Sequence, residues 1–549
     1  MAILSFIGFT LLVGVIAYLA TRKTNEKTSD GYFLGGRSLT AGVVAGSLLL
    51  TNLSTEQIVG LNGAAYSEGI LVMAWETLAA IAMVITAIFL LPRYLKGGLT
   101  TVPQFLETRY DKATKTIASG LFLLGYIVIL LPIVLYSGSL AISTMFNIPE
   151  LLGVSHDTSI WITVWGIGIV GSVYAIFGGL KAVAVSDSIN AIGLLTGGLL
   201  IPIFGLLYIG DGSIGEGITK LVEHAPDKFN SMGTATASVP FSTIFTGMML
   251  VQLFYWGTNQ AIIQRALAAK NLKEGQKGLM LAAFIKILGP LIVVLPGIIA
   301  FYIFGADLET PDQAYPMLVN KVLPTVWIGF FAAVLFGAIL SSFNSGLNSA
   351  VTLFSIDFYK EYIDKNASEV KIIKNGKYFG ILLAVFSMLI APLIAKAPQG
   401  LFGYLQEVNG CYSIPILTII VVGYLTKRVP AIAAKIGILS GCILYIISQF
   451  VIKPIVSANA VEKAKAAGIL DEDRLAEIAT LAYPHYLHVM AILFVTNVAI
   501  MLLIGKLYPR STDFELEYTK QVDITPYKHA AIAGTIISLI VIGIYIYFS

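Results

Sequence analysis

Apolar residues fall along this chain in blocks of about 20, and polar residues collect between the blocks rather than along one side of each. A block of that length is a helix that spans a bilayer. Fourteen such segments follow one another, at roughly 3–21, 39–66, 70–93, 117–146, 158–178, 182–209, 240–265, 277–304, 326–360, 374–396, 399–425, 430–452, 485–506 and 529–548. The pattern predicts an all-α polytopic membrane protein. No basic residue precedes the first segment and Arg22 and Lys23 follow it, so it reads as an anchored span and not a cleaved signal peptide. Two long polar connections, 211–239 and 454–483, interrupt the series, and the second predicts a short surface helix from Ala460 to Ile478. Neither has the size of a catalytic domain. Function therefore falls to residues inside the membrane.

Composition narrows the classes further. Of 549 residues 56% are hydrophobic and 12% charged, and the mean hydropathy is +0.82. Soluble domains carry about 25% charged residues, so a soluble enzyme, a nucleic-acid binder and a disordered chain are excluded. Cys411 and Cys442 are too few for a disulfide framework or a thiolate metal site. Only His485 and His488 among the histidines are close, at the edge of an apolar run, and no transition metal is expected there. Short basic loops stay cytoplasmic. Arg93, Lys96, Arg109, Lys112, Lys115, Arg265, Lys270, Lys273 and Lys277 fall on the more basic side, whereas Lys220, Lys228, Lys321 and Lys453 fall on the other. The tally predicts a cell (inner) membrane protein with both termini extracellular or periplasmic.

Against that apolar background the polar residues inside spans are the informative ones. A charge at the bilayer centre costs at least about 2.5–3.5 kcal/mol. Glu56 and Gln57 interrupt the second span, Glu76 sits in the third, Asp187 opens the sixth, and Gln252, Tyr255, Trp256, Asn259 and Gln260 crowd the seventh. Lys286 stands in the eighth, Ser341, Ser342, Asn344 and Ser345 in the ninth, and Gln406 with Glu407 in the eleventh. Each has a plain structural reading. A serine in a span often bonds the carbonyl one turn back, Asp187 complements a helix dipole, and Lys286 neutralises one buried carboxylate. Polar groups in seven spans together describe a lined cavity. In SLLLTNLSTEQIVG (47–60) the apolar run breaks, and VQLFYWGTNQ (251–260) breaks five spans later. Broken spans at matching places in two halves mark an inverted-repeat transporter, and their unpaired carbonyls suit a small cation.

With these motifs the sequence resembles the sodium:solute symporter family, in particular its bacterial sodium/glucose-galactose cotransporter branch. DGYFLGGRSL (30–39), YAIFGGLKAV (174–183), YWGTNQAIIQRALAAK (255–270), LSSFNSGLNSAVTLFSIDFYKEYI (340–363) and YLQEVNG (404–410) carry the resemblance along most of the chain. It implies a LeuT-like fold: a leading helix (3–21), two five-helix inverted repeats (39–209 and 240–425) and three trailing helices (430–548). It implies a sodium site from the carbonyls of Leu50, Leu53 and Ala338 and the hydroxyls of Ser341 and Ser342, with Asp187 and Ser345 as a possible second sodium site. Hard oxygen ligands of this kind suit sodium. The implied substrate contacts are Gln57, Glu76, Gln252, Tyr255, Lys286 and Gln406. Asn52 and Tyr255 would form the inner gate, and Leu61, Trp75 and Phe402 the outer lid.

The expected activity is sodium-coupled symport, importing a monosaccharide or related polyol by alternating access, with sodium as the co-transported ion. The alternative is a sodium symporter for another small solute such as an amino acid or carboxylate; Glu76 beside Lys286 favours a neutral polyhydroxylated one. No nucleophile–base or metal constellation speaks for an enzyme. Ala79 and Gln252 stand where the family's galactose carrier has serine and asparagine, which predicts a preference other than galactose.

Overall fold

The computed structural model of the protein describes residues 2–21, 28–308, 310–396 and 401–549. Arg22 and Lys23 lie outside these. Among the described residues every extended element is helical, apart from a single isolated β-bridge between Leu39 and Ala269. The helices that matter for function are α1 (Ala2–Thr21), α2 (Ala41–Asn52), α3 (Thr55–Glu68), α4 (Ala74–Ile85), α5 (His156–Ile209), α6 (Gly247–Gly257), α7 (Gln260–Leu267), α8 (Leu272–Lys286), α9 (Thr325–Leu353) and α10 (Leu401–Leu425).

Among the described residues nine helical stretches are long and apolar enough to cross a bilayer, or ten if the pair Leu272–Lys286 and Gly289–Phe304, bent by 50°, counts as one. The difference from fourteen lies in where helices break and where they run on. The second and seventh segments are each divided into shorter helices, α2 with α3 and α6 with α7. Thr55–Lys96, by contrast, runs continuously through the end of the second segment and all of the third.

Residues 158–178 and 182–209 are likewise joined without a gap in α5, 54 residues long. Its contacts nevertheless show a reversal. A Cβ on Gly171 would touch Leu340, Phe343 and Asn344 of α9, and one on Gly337 of α9 would touch Asn190. In a straight helix positions 171 and 190 would lie roughly 28 Å apart, yet both pack against one short stretch of α9. The chain doubles back between them, as two antiparallel spans would.

Burial ranks the spans. The most apolar 18 residues of Trp327–Ile363, a span that takes in most of α9, are 83% buried, whereas Ala530–Tyr547 is 22% buried. Close approach at the centre depends on small residues: a Cβ on Gly46 of α2 would lie 2.8 Å from the backbone of Ser188. The polar connection after the twelfth segment holds two helices instead of the single one expected, Lys453–Ala466 and Glu472–Leu481. Gly468 at φ +88° ends the first, and the Asp471 carboxylate accepts the Arg474 amide at 2.8 Å to start the second.

Candidate functional site

The break in the second span is made by two residues. Leu53 (φ −76°, ψ 59°) and Ser54 (φ −87°, ψ −179°) leave the helical region. The Ser54 amide turns back to the Asn52 carbonyl at 2.8 Å, so it no longer serves Leu50 four residues earlier. Around this break Asn52 Oδ1 and Thr55 Oγ1 are buried without a hydrogen-bond partner, and Ser54 Oγ is set against the buried Glu56 carboxylate. On α9, Asn344 Oδ1 is unpaired and Ser341 Oγ is set against Asp187. Buried polar atoms are nearly always paired. Acceptors concentrated in this way are suited to a cation or to a ligand rich in donors.

Of the expected sodium ligands, Leu50, Leu53, Ala338, Ser341 and Ser342 are all buried. Ser342 Oγ donates to the Thr51 carbonyl at 2.9 Å, joining α9 to α2 directly beneath the break. A hydroxyl that donates in one direction keeps its lone pairs for another. The two residues of the possible second site are engaged by protein groups. Asp187 accepts from Ser47 Oγ at 2.7 Å, and Ser345 Oγ lies 3.1 Å from Thr51 Oγ1 and accepts from the guanidinium of Arg265. Arg265, counted from the sequence among the cytoplasmic loop charges, is in fact fully buried in α7. A side-chain cation thus touches one of the two residues assigned to a second sodium.

The third-span carboxylate and the eighth-span ammonium meet. Lys286 Nζ lies 2.7 and 2.6 Å from the two oxygens of Glu76, both side chains are 0% exposed, and Gln57 Nε2 donates to Glu76 Oε1 at 2.6 Å. Gly289 makes room for this triad, since a Cβ there would fall 2.2 Å from Glu76 Oε2. Tyr255 is hydrogen-bonded to Asn52. Gln406 is half-buried on α10. Gln252 is also held by the protein: its Nε2 donates to the Trp75 carbonyl at 2.9 Å and its Oε1 accepts the Trp256 indole at 3.2 Å, which tethers the start of α4 and leaves one amide hydrogen and one carbonyl lone pair.

Of the residues expected to form the outer lid, Trp75 and Phe402 meet edge to face with ring centroids 5.1 Å apart, and Leu61 is buried. At the opposite end, Tyr126 Oη donates to Asn259 Oδ1 at 2.8 Å across the break of the seventh span. Gln264 of α7 forms a node that sequence reasoning missed. Its Nε2 donates to the Phe33 carbonyl at 2.7 Å and to Thr352 Oγ1 at 3.2 Å, and its Oε1 accepts from Ser349 Oγ at 2.9 Å. The motif around residues 255–270 contained it. Nothing in the sequence told which of its polar residues turn inward.

Broken spans, an oxygen-rich break and a fully buried ion pair fit a membrane carrier. The sequence profile of the sodium:solute symporter family matches residues 32–441, and the chain belongs to that family. Its role is transport and not enzymatic catalysis, and sodium is the co-transported ion. It is 47% identical to the Escherichia coli (strain K12) protein described as "Uncharacterized symporter YidK", over 99% of this chain and 90% of that one. To the sodium/glucose cotransporter of Vibrio parahaemolyticus it is 34% identical, over 78% of this chain and 81% of the relative. The solved structure of a sodium-coupled sialic acid symporter superposes with TM-score 0.70 at 20% identity, covering 93% of this chain and 99% of that one. The fold is the LeuT-like one expected.

Proposed function

We propose that this symporter imports a monosaccharide or related polyol by alternating access across the cell (inner) membrane, with both termini outside. The observation that carries the reading is the buried triad of Gln57, Glu76 and Lys286. Carboxylate, amide and ammonium present acceptors and donors at once, which matches the alternating hydroxyls of a sugar, and an aromatic face covers its apolar side. Because Glu76 and Lys286 neutralise each other, a neutral solute needs no counter-charge to enter. Gln406 completes the contact set from α10, and Asn52 with Tyr255 would open on the inner side.

Sodium would be held by the carbonyls of Leu50, Leu53 and Ala338 and the hydroxyls of Ser341 and Ser342. Bound there it joins the broken second span to α9, and it favours the outward-open state only through its greater affinity for that state. The two inverted repeats, 39–209 and 240–425, would rock around this point, with 3–21 leading and 430–548 trailing. A thermal-shift panel of hexoses, modified sugars and cyclic polyols, each with and without sodium, tests the reading. A sugar or polyol should stabilise the purified protein more with sodium than without. Stabilisation by amino acids or carboxylates alone would refute the solute class.

A further inference from the structure

A cavity of about 390 Å³ lies between α1, α5 and α9 and shares Ser341 with the expected sodium ligands. Its walls are mostly apolar, with Thr10, Ser186 and Asn190 among them, and Ile169, Val170 and Val173 on its rim are 52%, 46% and 56% exposed on the surface of a membrane span. The mouth therefore opens toward lipid. The floor differs in kind. Ser341 and Asn344 line it at 2% and 1% exposure; Asn344 Oδ1 has no hydrogen-bond partner, and Ser341 Oγ, set against the Asp187 carboxylate, accepts from no donor. An unpaired buried acceptor costs about 1–3 kcal/mol, and a donor reaching the floor from the mouth would relieve it. A charged head would have to be desolvated among apolar walls, whereas a neutral hydroxyl both donates and accepts.

We propose that this cavity binds a bilayer-borne, single-chain amphiphile with a hydroxyl head, and that its occupancy weakens sodium binding. The tail lies along the apolar walls. The head donates to Ser341 Oγ and so occupies the lone pair that the ion would need, with Asn344 Oδ1 beside it as the alternative acceptor. This second half rests on the sodium ligands proposed above.

Gly14 of α1 supplies a clean test. It lines the cavity, and a Cβ there would meet no heavy atom within 4 Å. Gly14→Leu should fill the space without displacing neighbours, and Gly14 belongs to neither the ion nor the solute contacts. A photoactivatable alkyl alcohol should label residues 169–173 or α1 in the wild type, and hardly at all in Gly14→Leu. Decanol should displace the label and decyl methyl ether, which has no donor, should not. Saturating decanol should raise the sodium concentration for half-maximal uptake about fivefold or more in the wild type and leave Gly14→Leu unchanged. Labelling undiminished by Gly14→Leu, equal competition by the ether, or a sodium requirement indifferent to decanol would each overturn the proposal. Labelling is read without sodium. A wild type whose uptake ignores sodium would therefore sink the symport reading, while the labelling still decides the cavity.

Discussion

Lys286 and Glu76 are each affordable in the membrane only because of the other. Removing one member of a buried ion pair leaves an uncompensated charge, typically at about 3–5 kcal/mol. Lys286→Met should therefore lower the thermal midpoint of the purified protein markedly and abolish solute binding. Adding Glu76→Gln should restore most of the stability and none of the binding. A single mutant with wild-type stability would show that the pair does not form. The sequence placed both residues in spans, but only three-dimensional packing shows them in contact with Gln57. Gln252 shows what three-dimensional packing adds. Its residue type fits a sugar, and its amide also bonds Trp75 and Trp256. Gln252→Asn, one methylene shorter, should loosen the lid and speed solute release in a washout assay, and an unchanged release rate would show that these bonds do not hold the lid. Together with Ala79→Ser it should shift preference toward galactose in competition uptake; an unaltered ranking would show that these positions do not set selectivity.

At the scale of elements, the break at Leu53 and Ser54 was legible because six polar residues in a row of seven cannot continue an apolar span. Hairpins were less so. The turn inside α5 was marked only by the short gap at 179–181, and the helix Lys453–Ala466 extends a span that the apolar pattern ends at 452. Ser342→Ala removes both a proposed sodium ligand and the bond to the Thr51 carbonyl. The protein should fold, with the sodium concentration for half-maximal uptake raised about tenfold, the loss of one charge-assisted contact of about 1.5 kcal/mol. Unchanged sodium dependence would exclude that serine. Gln264→Leu cuts the bonds from α7 to α9 and to Phe33. A cysteine placed at Ser349 should then react faster with a membrane-impermeant thiol reagent from the cytoplasmic side, and equal rates would mean that Gln264 does not latch the inner gate.

For the whole molecule, the contacts that transport would have to open in turn include Trp75 on Phe402 and the bonds of Gln264 and Tyr126. Under alternating access the ion is what couples them. The class of protein was readable from hydropathy and a few long motifs. Buried charges such as Arg265 were not, because a lysine–arginine tally assigns every flanking cation to water. Uptake into proteoliposomes with an imposed ion gradient addresses the central claim most directly. An inward sodium gradient should drive accumulation of a labelled sugar or polyol above its external concentration, and replacing sodium with potassium should reduce it to equilibration or less. Equal accumulation in potassium, or no accumulation of any sugar or polyol under a sodium gradient, would contradict the account.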